Sequence, residues 1–264
     1  MIADRLSVEL TRCKQWLVDN KLSLHVGKTE CLLFGSKRKL KKVGNFQVFC
    51  EGMAVKRVFT VKYLGVQLDD SMDGSAHAGN LMKTCMGRLF FLYRNSSLLD
   101  TNCRKTLCSA LIQPYLDYCS SSWYSGLSVD LKGRINVIQR KMARFVYGLD
   151  NRGHIGDKEL LSLSWLTIPD RVAFFKLVHI FKIGRNLAPR YLMPNFASIS
   201  STHSYFTRGS SHNYHVSKDI AQSPNSFTFT AIKAWNNLPD RIKEIDSIVV
   251  FKKKLKEFLF SSYN

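Results

Sequence analysis

Near Gly74 the hydrophobic period of this chain switches from two to three or four, and that change sets what it can fold into. Upstream, short runs carry apolar residues at alternate positions or in brief blocks: Leu22, Leu24 and Val26 before Gly27, then Glu30 to Phe34, Phe46 to Cys50, Met53 to Val58 and Val61 to Leu68. A period of two sends successive side chains to opposite faces of a strand. Glu51-Gly52 between two runs predicts a hairpin. One helix precedes them, with Leu6, Leu10, Cys13 and Leu17 striped along residues 4–18, as for a helix lying on a sheet.

Downstream the spacing becomes three to four. Residues 78–98 carry Leu81, Cys85 and Leu89; residues 102–121 carry Leu107, Leu111 and Tyr115, with Pro114 set to kink or restart the helix. Residues 129–147 carry Leu131, Ile135, Ile138, Met142 and Phe145. Asp157 is placed to cap the next helix, with Glu159 in its first turn, where the dipole favours a carboxylate. Residues 168–184 read as a helix ending at Gly184, residues 193–226 as a Ser-rich loop or arm, and 227–238 and 247–260 as closing helices. The expected class is α+β. It comprises a small antiparallel sheet with one helix over 1–74, a helical domain over 75–150 and a helical region over 151–264.

Charge narrows the partners. Lys and Arg number 39 against 20 Asp and Glu, a net charge of +19. Such a surface concentrates polyanions and points to RNA or DNA, bound without sequence preference. A membrane surface would attract the same charge, but no lipidation signal or run of 18 apolar residues supports one, so no membrane partner is expected. Asp4 and Arg5 stand where a secretory leader would be apolar, and the 7 cysteines, without a CxxC, read as reduced core thiols. The expected compartment is intracellular, nucleus or cytoplasm, with Lys37 to Lys42 a possible nuclear signal.

The strongest chemical signal is the 129–147 helix. Arg134, Arg140, Lys141 and Arg144 cluster away from its apolar stripe, Lys132 lies close in sequence, and only Asp130 offsets them. A helix greasy on one face and cationic on the other can sit on a fold and track a phosphate backbone. Lys37 to Lys42 is either a phosphate-binding loop or a solubilising one, and Phe251 to Lys256 reads as a packed helix with a wet basic face. Tyr115, Tyr118, Trp123 and Tyr124 could stack bases, although core packing is the ordinary role of such spacing.

Other motifs fail on context. Gly27-Lys28-Thr29 imitates the end of a phosphate-binding loop, but Leu22 stands where that loop needs its first glycine, and no helix pattern follows. Asp69, Asp70 and Asp73 read as a turn, since adjacent strand aspartates face opposite ways. His203, His212 and His215 have no cysteine downstream of position 119 to complete a zinc set, and no nucleophile elbow is present. No metal site is expected.

Several blocks occur in a telling order: Trp16 to Gly35, Lys62-Tyr63-Leu64-Gly65, Ile112 to Tyr124, Ile138 to Arg144, Leu163-Ser164-Trp165-Leu166, Arg171, Ala188 to Leu192, Thr207-Arg208 and Ala234 to Pro239. Together they resemble the late palm, thumb and C-terminal region of reverse transcriptases, RNA-directed DNA polymerases, from jockey-like non-LTR retrotransposons. The resemblance implies that the first 74 residues are a palm remnant and 75–150 a thumb. By it, Lys28 matches the motif D lysine, a proton donor to pyrophosphate. Lys62, Tyr63 and Gly65 lie in the motif E primer-grip strand, and Arg134, Lys141 and Arg144 face the template-primer duplex. The intact family uses two Mg²⁺ ions. Its metal-binding aspartates should fall before Met1, so the expectation is a catalytically inactive fragment, without a cofactor of its own, that retains non-specific template-primer binding. The alternative is a domesticated or decayed fragment that docks a protein through an exposed palm sheet edge.

Overall fold

The computed structural model describes residues 2–150, 153–202 and 212–263. The fold is mixed α+β and divides into two compact units, Met1–His77 and Ala78–Asn264.

The first unit opens with α1 (Ile2–Asp19), followed by β1 (Glu30–Leu32), α2 (Lys37–Leu40), β2 (Phe49–Cys50), β3 (Met53–Ala54), β4 (Lys56–Val58), β5 (Thr60–Tyr63) and β6 (Val66–Asp69). The strands form three separate two-stranded ladders rather than one antiparallel sheet. β2 and β3 are the expected hairpin, turning through Glu51 and Gly52 at φ 50° and 77°. β1 instead pairs in parallel with β4, Glu30 opposite Lys56, because the intervening hairpin returns the chain alongside. The run Val61 to Leu68 is not one strand. It folds back between β5 and β6 at Leu64-Gly65, both left-handed (φ 45° and 84°). Bulky leucine is an unusual residue there, which hid the turn from the sequence.

Leu22 to Val26 makes no strand. Lys21 turns left-handed after α1, and His25 to Thr29 closes a 3₁₀ turn through Lys28 N–H to His25 C=O at 3.0 Å. Leu24 and Val26 still pack on the buried trio Val48, Cys50 and Val55, as does Leu10 of α1. The alternation thus records burial without a partner ladder. Lys37 to Lys42 is not a simple loop either: Ser36 caps α2, accepting from Lys39 N–H at 3.3 Å.

The second unit is helical. α3 (Ser75–Arg94), inside which the division between units falls, leads to α4 (Thr101–Leu111), α5 (Gln113–Asp117), α6 (Ser120–Trp123) and α7 (Val129–Tyr147). The single helix expected over 102–121 is broken into three, at Ile112 before Pro114, which lacks an N–H, and at left-handed Cys119. α8 (Asp157–Ser162) is capped by Gly156, not Asp157. Gly156 N–H donates to Glu159 Oε2 at 2.7 Å, and this bond holds the Glu159 carboxyl below its ordinary pKa.

α9 (Ile168–Gly184), α10 (Ile199–Thr202), α11 (Lys218–Ala221), α12 (Phe227–Asn236), α13 (Asp240–Lys243) and α14 (Ile248–Phe260) complete the chain. The expected 193–226 loop includes α10, α11 and a bridge between Ser198 and Tyr214; His203, Thr207 and Arg208 lie outside the described residues. The core sits between α9, α12 and α14: Leu177, Phe181, Ile232, Trp235, Phe251 and Leu255 are buried, and the Phe181 and Phe251 rings stack with centroids 4.2 Å apart. All seven cysteines are free. Only Cys50, Cys85 and Cys108 are buried, whereas Cys13, Cys103 and Cys119 are exposed, so the reading of uniformly core thiols is corrected. Burial pushes the Cys85 and Cys108 thiols up to about 12.

Candidate nucleic-acid interface

α7 positions the densest group of the candidate residues. Ser128 caps its start, accepting from Leu131 N–H at 3.3 Å, and Gly148 ends it in the left-handed conformation (φ 68°). Ile135, Ile138, Met142, Ala143, Phe145 and Val146 are buried, which fixes the rotation of the helix about its axis. Gln139 is buried with them and donates to Leu166 C=O at 2.7 Å.

At 100° per residue, Arg134, Arg140, Lys141 and Arg144 then fall within a sector of about 120° on the other side, over roughly 15 Å of axis. Arg134 and Arg140 are exposed, while Lys141 and Arg144 are half-buried. Arg144 Nε donates to Gly153 C=O at 2.6 Å, which anchors the following loop. No carboxylate among the described residues pairs with any of the four. Uncompensated cations over that length meet the fields of roughly nine duplex phosphates. Lys132 does not join this sector. Its Nζ donates to Ser125 C=O at 3.2 Å and sits 5.6 Å from the centre of the Tyr124 ring.

The aromatic residues divide. Trp123 and Tyr124 are core, whereas Tyr118 is exposed, and Tyr115 is partly exposed and stacked by the Arg88 guanidinium 4.3 Å from its ring centre. Arg88 also donates to the Tyr115 hydroxyl at 2.6 Å.

In the first unit, Lys62, Tyr63 and Gly65 come together at the tip of the β5–β6 hairpin. Tyr63 and Leu64 are 62% and 75% exposed, so this tip offers an unburied aromatic, with the exposed Lys62 on the opposite face of β5. Lys28 lies apart in sequence, exposed on the 3₁₀ turn. Arg38, Lys39, Lys41 and Lys42 are exposed around α2. Lys37 is committed to Asp73 Oδ2 at 3.1 Å.

The aspartates near Gly74 organise a turn. Asp69 is buried; its Oδ1 accepts from Asp73 N–H at 2.9 Å and Ser71 Oγ at 3.3 Å. Partial burial raises the Asp73 carboxyl, but hydrogen bonds from Ser75, Lys37 and Ser71 outweigh it and hold the group at about 2. Among the described residues, no three His, Cys, Asp or Glu side chains gather as a metal site would require, and no helix is long and apolar enough to cross a membrane.

One cationic site escaped the sequence reading. Lys176, within the apolar run Val172 to Ile183, is buried between Ser125 and Thr230. Its place on the apolar side of α9 was the available signal.

Set against models of known families, curated proteins and solved structures, the chain matches none.

Proposed function

We propose that this chain is part of a reverse transcriptase of the non-LTR retrotransposon kind, and that it binds template-primer nucleic acid through phosphate contacts without sequence preference. The observation that carries the reading is the α7 sector: Arg134, Arg140, Lys141 and Arg144 oppose a fully buried stripe and have no carboxylate partner among the described residues. Phosphate neutralisation supplies most non-specific affinity and releases counterions. The β5–β6 tip gives a second contact, the exposed Tyr63 ring, on which a base of an unpaired strand end can stack, with exposed Lys62 one residue before it. Lys28 contributes a further exposed charge.

We expect no nucleotidyl transfer from this chain alone. Asp69 and Asp73 use carboxylate oxygens on turn amides and on Lys37, so the nearest acidic pair is already engaged. A primer-extension assay with the purified chain, Mg²⁺ and deoxynucleotides tests this; templated incorporation would contradict it. Binding is tested by fluorescence anisotropy of a labelled RNA–DNA hybrid across a salt series. Affinity should fall steeply with salt; a dissociation constant that stays constant would contradict the binding claim.

A second reading rests on α1. It has no buried residue, and Leu6 and Trp16 are 43% and 62% exposed. An apolar helix face of that kind suits a protein partner, and pull-down with an intact polymerase of the same family separates the two readings.

A further inference from the structure

Among the described residues two lysines are buried, Lys176 and Lys243, and they are treated differently. Lys243 meets Asp240 Oδ1 at 3.1 Å, the Asn236 carbonyl at 3.3 Å and Asn213 Oδ1 at 2.8 Å. Its charge is answered by a carboxylate. Lys176, 5% exposed, is held only by hydroxyls: Ser125 Oγ and, at 2.8 Å, Thr230 Oγ1. No carboxylate among the described residues pairs with it.

The nearest charge is another cation. Lys132 of α7 donates to the Ser125 carbonyl at 3.2 Å, so both ammonium groups bond to one serine. Burial, and secondarily Lys132, lower the Lys176 amine to about 8. Burying a cation is costly unless a counter-charge is near. Here α7, α9, α12 and the turn Tyr124–Gly126 assemble two cations around the Ser125 hydroxyl, and among the described residues no carboxylate pairs with either cation. Ammonium and hydroxyl donors on one small patch match the oxygens of a tetrahedral anion. Ser125, Thr230 and Lys132 are half-buried, which leaves an approach from solvent.

We propose that Lys132 and Lys176, with the hydroxyl of Ser125, bind a phosphate-type oxyanion, while Thr230, whose own proton goes to Ser226 C=O at 2.8 Å, positions the Lys176 amine. The node faces away from the cationic sector of α7: Lys132 is about 160° around the helix from Arg134, so the proposal stands independently of the α7 reading. Two sources share the chemistry: inorganic phosphate, and the terminal phosphate of a nucleic-acid end.

The test uses the full chain. At constant ionic strength, thermal unfolding is followed while inorganic phosphate replaces chloride, and phosphate binding is titrated by ³¹P NMR. Phosphate should raise the midpoint of wild type, and Lys132→Gln should weaken phosphate binding about tenfold, as loss of one charge-assisted hydrogen bond implies. Ser125→Ala should weaken it in the same direction, and neither substitution alters the Lys176 side chain itself. In parallel, a 5′-phosphorylated oligonucleotide is compared with its 5′-hydroxyl twin. A preference lost in Lys132→Gln assigns the site to nucleic-acid ends; a response to inorganic phosphate alone assigns it to the free anion. Equal responses of wild type and Lys132→Gln in both arms, or no response in either, would overturn the site.

Discussion

Lys176→Met should make the protein more stable at neutral pH in phosphate-free buffer. The Lys176 amine is lowered from 10.5 to about 8, chiefly by burial. The folded state therefore binds its proton less tightly than the unfolded chain does. Below pH 8 both states are charged and the penalty is fully present. Between about 8 and 10.5 the unfolded state holds more protons, so this group makes stability rise with pH there. The whole difference corresponds to ~3 kcal/mol. Methionine removes the penalty but forfeits the bonds to Ser125 and Thr230 at ~1 kcal/mol each. Thr230 keeps its bond to Ser226 C=O at 2.8 Å, so not all of that is lost. The net expectation is a gain of about 1–2 kcal/mol, or a few degrees in midpoint. Urea unfolding of both proteins at pH 7 and pH 10 measures it. The difference between them isolates Lys176, because the buried thiols of Cys85 and Cys108 contribute the opposite slope equally to both. A variant less stable at pH 7 by more than ~2 kcal/mol, with an unchanged wild-type-to-variant difference at pH 10, would refute the reasoning.

Leu64→Gly should stabilise the β5–β6 hairpin by about 1 kcal/mol, because leucine is strained at φ 45°; hydrogen exchange of Thr60 to Asp69 reads it out. Phe181→Ala, removing the ring stacked on Phe251, should cost ~3–5 kcal/mol in urea unfolding. Asp73, held at about 2, contributes stability above the usual carboxylate pKa of 3.8, and that contribution is lost as pH falls from there towards 2. Asp73→Asn should therefore flatten the acid limb of stability over that window, as followed by circular dichroism.

The helical half was well written in the sequence. The stripe Ile135, Ile138, Met142 and Phe145 and the caps Ser128 and Gly148 agree, so 129–147 is observed as read. The strand half was legible only in part. Glu51-Gly52 is a favourable turn pair and the β2–β3 hairpin follows, whereas Leu64-Gly65 uses a residue whose side chain argues against a turn, so β5 and β6 read as one strand. The parallel pairing of β1 with β4 is set by a return of the chain that no local pattern encodes. For the candidate interface, the apolar stripe of α7 was enough to place Arg134 and Arg140 outward. It could not show that Lys132 turns to Ser125, or that Arg144 anchors Gly153, since both depend on the conformation of the segments flanking α7, which its apolar stripe does not encode.

The salt dependence of hybrid binding by Arg134→Ala/Arg140→Ala/Lys141→Ala probes the central claim most directly. Each lost phosphate contact lowers the slope of log K against log salt by about 0.9, so the triple variant should bind more weakly at low salt with a slope shallower by roughly 2–3. A triple variant that folds, yet keeps the wild-type affinity and slope, would contradict the assignment of α7 as the surface that holds nucleic acid.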